Sequence, residues 1–270
     1  MKKKKRVLYI SQEISPYVGE SEIANLSRHL PYSIQKHQET RLFMPKYGNI
    51  NERRNQLHEV IRLSGMNLVI DDYDNPLIIK VASIPSTKLQ VYFIDNDDYF
   101  PKRTFFHSKK GEFLKFTEER MIFFCRAVLQ TVVKLGWKPD LIHCHGWMTS
   151  LVPFYFKKLF VNEPIYKDAK IIYSCYKHKI PGVISKALAE KSVLEGISPN
   201  DVKNIKTPNH INLTKFAIDY SDAVITGEGV SASVKNYIKD SKKLHLFPDH
   251  SDEKYPLQYS EFYDQMLETE

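Results

Sequence analysis

The sequence is short of the residues that hold unusual chains together. Its 3 cysteines in 270 residues, Cys125, Cys144 and Cys175, sit in apolar surroundings without CxxC spacing, which excludes a disulfide frame and fits reduced thiols. With 10 glycines and 14 prolines, a fibrous or low-complexity chain is excluded. No apolar run approaches the ~20 residues of a membrane span. The apolar run after the basic start, Val7 to Ile10, is broken by Ser11, Gln12 and Glu13, short of the roughly 7–15 residues of an export signal. A cytoplasmic location with no membrane partner is therefore expected.

Spread positive charge is missing too. The formal charge of +7 comes from 39 Lys and Arg against 32 Asp and Glu, and five of the basic residues fall in Lys2–Arg6; setting them aside leaves 34 against 32, or +2. That run reads as a solubilising tail beside the first strand, and no nucleic-acid partner is expected. What the chain does have, 42% apolar and 12% aromatic residues, suffices for a folded core of one large domain or two small ones.

Along the chain, strand-like and helix-like segments alternate. Arg6–Ser11 is β-branched and aromatic; Ile23–His37 carries Ile23, Leu26, Leu30 and Ile34 three or four apart, with Pro31 as a kink or break; Thr40–Pro45 is again strand-like. Together they predict a right-handed βαβ unit. Four short runs at His58–Leu63, Met66–Ile70, Leu77–Ile84 and Leu89–Ile94, parted by Asp, Asn, Pro and Ser, predict a β-meander. A long crossover helix follows at Phe113–Leu135, closed by Gly136 and Pro139. Strands at 141–144, 170–175, 223–226 and 244–247 then alternate with helices at 148–158, 212–220 and 231–238, and a helix-prone block at 183–194 lies in a surface excursion. The predicted class is α/β, a single Rossmann-like doubly wound parallel sheet with a β-meander insertion spanning residues 1–248, followed by a polar carboxyl-terminal tail at 249–270.

In such a sheet ligands gather beyond the carboxyl ends of the strands. The first loop, Gln12–Glu22, offers one glycine, Gly19, and the carboxylates of Glu13, Glu20 and Glu22. A phosphate cradle would want consecutive glycines, a lysine and a bare helix start, so this loop reads as an acidic capped helix N-terminus. Strand alternation puts His143 and His145 on one side and Cys144 on the other. Either one histidine meets a substrate hydroxyl or phosphate while Trp147 packs the next helix, or both are satisfied by backbone carbonyls at a crowded strand end. Zinc would need further ligands, and no metal site is expected. Asp95–Phe100 reads as an Asx-rich turn rather than a calcium loop.

Taken in order, five stretches resemble the amino-terminal half of bacterial glycogen synthases and plant starch synthases, GT-B glycosyltransferases that move glucose from ADP-glucose to the end of an α-1,4-glucan. They are Ser11–Tyr17; Arg41–Gly48, ending Met-Pro-Lys-Tyr-Gly; Val91–Asn96; His143–Thr149, similar to H-x-H-D-W-H-T; and Tyr220–Thr226 before Val230-Ser231. The resemblance implies the amino-terminal half of a GT-B fold, with His145 as the retained catalytic position. It also implies Glu13, Tyr17, Gly19, Asp95, Asn96 and Trp147 as substrate-binding residues, an α-glucan such as glycogen and ADP-glucose as ligands, and no cofactor.

Departures from the family pattern carry expectations of their own. Where the family has K-T-G-G-L, this sequence reads Gly19-Glu20-Ser21-Glu22-Ile23, and glutamates facing a diphosphate repel it, so ADP-glucose is expected to bind there at millimolar strength at best. H-D-W-H becomes His145-Gly146-Trp147-Met148, D-N-x-E-R-F becomes Phe116-Thr117-Glu118-Glu119-Arg120-Met121, and V-H-N is replaced around Tyr173-Ser174-Cys175. The second GT-B domain, which supplies donor-binding Arg, Lys and Glu, is absent from the sequence. Stand-alone catalysis is thus not expected: a separate carboxyl-terminal GT-B subunit completes the cleft, or the fold serves a non-catalytic glucan-binding or regulatory role. As a strand-end imidazole, His145 is expected to be peripheral to the core and dispensable for folding.

Overall fold

The computed structural model describes residues 4–268 apart from residues 103 and 109. Met1, Lys2 and Lys3 of the basic run lie outside the described residues. Lys5 and Arg6 are no loose tail: they open strand β1 (Lys5–Ser11), where Lys5 pairs with Asp264 and the Arg6 amide donates to Asp140 at 2.7 Å.

Val7, Leu8, Tyr9 and Ile10 are completely buried, as a strand covered on both faces of a parallel sheet requires. Helix α1 (Glu22–Ile34) starts at Ser21, whose hydroxyl accepts from the Ala24 amide, and it runs through Pro31 instead of stopping there. The proline costs the helix one backbone hydrogen bond, the one position 31 would give to the Ser27 carbonyl. Strand β2 (Gln38–Pro45) then lies parallel to β1.

The meander consists of β3 (His58–Glu59), β4 (Met66–Ile70) and β5 (Tyr73–Ser83), antiparallel additions at one edge. Its expected last strand, β6 (Gln90–Asp95), is parallel to β2 and belongs to the main layer. Helix α2 (Thr117–Leu135), closed by Gly136 at φ 65°, carries the chain back past β1 to β7 (Leu141–His145) on its other side. Strands β8 (Lys170–Cys175), β9 (Ala223–Thr226) and β10 (Leu244–Leu246) follow outward. Between them run α3 (Val152–Leu159), α4 (Ala187–Lys191), α5 (His210–Tyr220) and α6 (Ala232–Ser241). The order is β10-β9-β8-β7-β1-β2-β6-β5-β3, with β4 on β5. The sheet therefore changes its direction of growth between β1 and β7, where a crevice opens in doubly wound folds.

Two segments differ from their sequence reading. The block at 183–194 forms only the single turn and a half of α4. The supposed polar tail carries helix α7 (Tyr255–Glu268), which buries Tyr259, Phe262, Tyr263 and Met266 along one stripe. That stripe lies beside α1, over Tyr9 and His143, while α2, α3 and α5 pack together on the opposite face. All three cysteines are buried and unpaired. Among the described residues no helix is long and apolar enough to cross a membrane.

Candidate functional site

At the switch point the exits of β1 and β7 are tied together. The Gln12 amide donates to the His145 carbonyl at 3.1 Å, and the Met148 amide reaches Gln12 Oε1 at 3.4 Å. Gly146 makes this approach possible: its φ is +87°, and a Cβ there would overlap the Gln12 side chain. Glu13 is fixed on both oxygens, accepting from Gln12 Nε2 and from Ser21 Oγ at 2.6 Å each, and Ser21 also caps α1. The first loop is thus the acidic capped helix start read from the sequence.

A pocket of about 150 Å³ opens over this joint. Gln12, Glu13 and Ser21 bound one side, Trp147 and Phe106 form an aromatic wall with ring centroids 5.1 Å apart, and Lys179 comes from the segment after β8. Carboxylate, amide and hydroxyl beside an aromatic wall can grip a polyhydroxyl ligand, whose C–H faces suit rings and whose hydroxyls suit the polar groups.

His145 lies out of solvent at the end of β7, with no exposed surface. Its ring sits 3.9 Å from that of His143 and stacks on Tyr9 at 6.1 Å, Nδ1 is 2.7 Å from the Tyr176 hydroxyl, and Nε2 has no partner. Burial drives its pKa down to about 3, so the ring is neutral at physiological pH. The expectation of a peripheral imidazole is corrected here: the side chain is part of the core, because α7 and Tyr176 close over its face of the sheet. His143 shares that face, as alternation requires. It is satisfied by the hydroxyls of Tyr263 and Ser174, 2.7 Å from Nδ1 and Nε2 respectively, rather than by carbonyls.

Of the other residues singled out from the sequence, Glu13 and Trp147 line the pocket and four do not. Tyr17 is packed edge-on against Phe93 at 4.9 Å. Gly19 is exposed, with open space where a Cβ would be and no left-handed φ to demand glycine. Asp95 is buried in an ion cluster, 2.8 Å from Lys80 and 3.8 Å from Lys46, with Glu52 bridging both lysines. Burial nevertheless raises its carboxyl above the usual range. Asn96 makes the Asx turn, its Oδ1 accepting from the amides of Asp98 and Tyr99. Sequence reasoning passed over Phe106, Tyr176 and Tyr263. Tyr176, directly after β8, stood at a strand exit and could have been found.

The sequence profile described as "Starch synthase catalytic domain" matches residues 6–246. The chain belongs to the starch synthase catalytic domain family. A glycogen synthase of Chlorobium luteolum is 37% identical over 225 residues, covering 82% of this chain and 45% of that protein. One of Pelodictyon phaeoclathratiforme is 32% identical over 234 residues, covering 84% and 46%. The chain thus spans about half the length of these curated relatives. Among solved structures, the catalytic domain of starch synthase IV from Arabidopsis thaliana, bound to ADP and acarbose, superposes with a TM-score of 0.71 at 19% identity, over 91% of this chain and 52% of that one. At that identity the likeness concerns the fold: the α/β architecture with a mostly parallel sheet is shared with about half of a starch synthase catalytic domain.

Proposed function

We propose that this chain is the acceptor-side half of a cytoplasmic GT-B glycosyltransferase of the glycogen/starch synthase type. It binds the end of an α-1,4-glucan in the pocket between β1 and β7 and takes part in the transfer of glucose to it from ADP-glucose. The observation that carries this reading is the meeting of two of the family-like stretches, Ser11–Tyr17 and the His143–Thr149 run, at one aromatic-walled pocket on the switch point. Starch synthase IV, bound to ADP and acarbose, supports the two ligand classes. Trp147 and Phe106 stack the sugar, Glu13 and Gln12 take its hydroxyls, and neutral His145 holds Tyr176 in place from beneath. The donor-binding half of the cleft comes from a carboxyl-terminal GT-B domain, the part of the curated relatives that this chain does not span. A second reading, a non-catalytic glucan-binding or regulatory protein, is favoured by the carboxylates of Glu13, Glu20 and Glu22 around the first loop, which oppose a diphosphate there.

Glycogen co-sedimentation and incorporation of labelled glucose from ADP-glucose test both readings. The chain is expected to sediment with glycogen without elongating it, and to elongate once the carboxyl-terminal half of a relative such as the Chlorobium luteolum enzyme is added. Sedimentation with no elongation in the mixture selects the second reading. Failure to sediment overturns both.

A further inference from the structure

Far from the glucan pocket, where β1 begins and α1 ends, charge of the two signs is gathered into separate patches. A groove of about 510 Å³ is bounded there by Lys4, by Tyr32 with the residues that close α1, Gln35 and Lys36, and by Lys88 in the turn between β5 and β6. Among the described residues it is lined by three lysines and by no aspartate or glutamate. Lys4 donates to the Gln35 carbonyl at 3.3 Å, and none of the three lysines has a carboxylate partner among the described residues. All three are exposed, and Tyr32 shows 45% of its surface beside them.

Helix α7 carries the opposite sign. With Tyr259, Phe262, Tyr263 and Met266 turned inward, its solvent side is left to Leu257, Glu261, Asp264 and Glu268, spaced four, three and four apart along one stripe. Asp264 is paired with Lys5, whereas Glu261 and Glu268 have no cation among the described residues. Glu268 stands at the negative end of the helix dipole, and the last turn holds no basic residue to offset it. A cation brought from another molecule relieves that repulsion. Leu257, at the head of the stripe, is 51% exposed.

The two patches are neighbours on one surface. Helix α7 lies beside α1, and Lys5, next in sequence to Lys4, holds Asp264 and reaches the Ser260 carbonyl. A basic patch beside an acidic one is complementary to itself about a two-fold axis, since each contact made in one direction is repeated in the other. We propose that a second copy of this chain docks on this surface, Glu261 and Glu268 of each copy entering the lysine groove of the other while Tyr32 meets Leu257. Exposed ion pairs contribute little singly, so the dimer is weak and rests on several pairs acting together with the two apolar contacts. The inference goes beyond the glucan reading: the groove lies at the opening end of β1 and the pocket at its carboxyl end, so the dimer stands whether or not the pocket takes a sugar chain.

Sedimentation velocity of the full chain over a concentration series tests this. At low salt a monomer–dimer equilibrium with a Kd on the order of 1–50 µM is expected. It should weaken at least about tenfold at ~0.5 M salt, where the screening length falls to roughly 4 Å. Two charge-reversed chains, Lys36→Glu with Lys88→Glu and Glu261→Lys with Glu268→Lys, alter exposed side chains only, and thermal melts check that both are folded. Each by itself is expected to be monomeric, because its two patches then share one sign, and an equimolar mixture of the two is expected to form the heterodimer. A native chain that stays monomeric up to about 200 µM at low salt, a dimer indifferent to salt, reversed chains that dimerise like the native one, or a mixture that does not associate overturns the proposal. So does a chain that remains monomeric and instead binds added polyphosphate through Lys36 and Lys88, which would give the groove to another occupant.

Discussion

Acid is expected to unfold this protein through its two buried histidines. Folding moves the His145 pKa from 6.5 down to about 3 by burial, and His143 shifts the same way, by burial and then by its charged-state repulsion with His145. The unfolded chain takes up both protons below pH 6.5 and the folded chain refuses them, so stability is whole above that pH and drains as the pH falls. Each refused proton costs about 1.4 kcal/mol per pH unit. His145 alone thus removes on the order of 4–5 kcal/mol by about pH 3, and the pair gives a slope approaching ~2.7 kcal/mol per unit near pH 5. Against a total of about 5–15 kcal/mol for an ordinary domain, unfolding between roughly pH 3 and 5 follows. Asp95 and Glu118, whose carboxyls burial raises, bind protons more readily in the fold and oppose this trend in the lower part of the range. Urea midpoints at a series of pH values from neutral to mildly acidic, for the native chain and for His145→Gln, read the effect directly. The glutamine keeps a partner for the Tyr176 hydroxyl but does not titrate, so the slope should fall by about one proton. Equal stability at neutral and mildly acidic pH in the native chain, or a slope indifferent to the substitution, refutes the reasoning.

Three further substitutions test the joint and its cover. Gly146→Ala forces a side chain into a left-handed φ and against Gln12, and should cost about 2–4 kcal/mol, seen as a lowered melting temperature. His145→Ala opens a cavity beside Tyr9 and strands the Tyr176 hydroxyl; a loss of about 2–5 kcal/mol in urea unfolding is expected, and a loss under ~1 kcal/mol would return the side chain to the periphery. Tyr263→Phe removes the partner of His143 Nδ1 and should cost about 1–3 kcal/mol, with little change in glycogen binding.

The central strands were legible because burial on both faces leaves unbroken apolar runs, as at residues 7–10 and 171–173. Strand direction is not a local property, which is why the run ending at Ile94 was read into the meander although it pairs in parallel with β2. Helix α7 went unread because its buried stripe is made of tyrosines among acids. The spacing of Tyr259, Phe262, Tyr263 and Met266 carried the helical signal all the same. At the site, alternation placed His143 and His145 together correctly. Their burial was invisible, since it comes from Tyr263, 120 positions from His143, and from Tyr176. Asp95 was read as part of a turn because its lysine partners sit on other strands and loops, while the neighbouring Asn96 does make that turn.

Helix α7 also sets the moment during synthesis at which this face of the sheet can close. The hydroxyls of Tyr263 and Tyr9 meet across 254 positions of sequence, and Lys5 reaches the Ser260 carbonyl across 255. At synthesis rates of ~5–20 residues per second, β1 waits roughly 10–50 s for the segment that covers it. Through that interval Tyr9, His143 and His145 lie along a bare sheet face, so the nascent chain is open to holding chaperones and to premature self-association. The emergence of α7 is what ends that exposure.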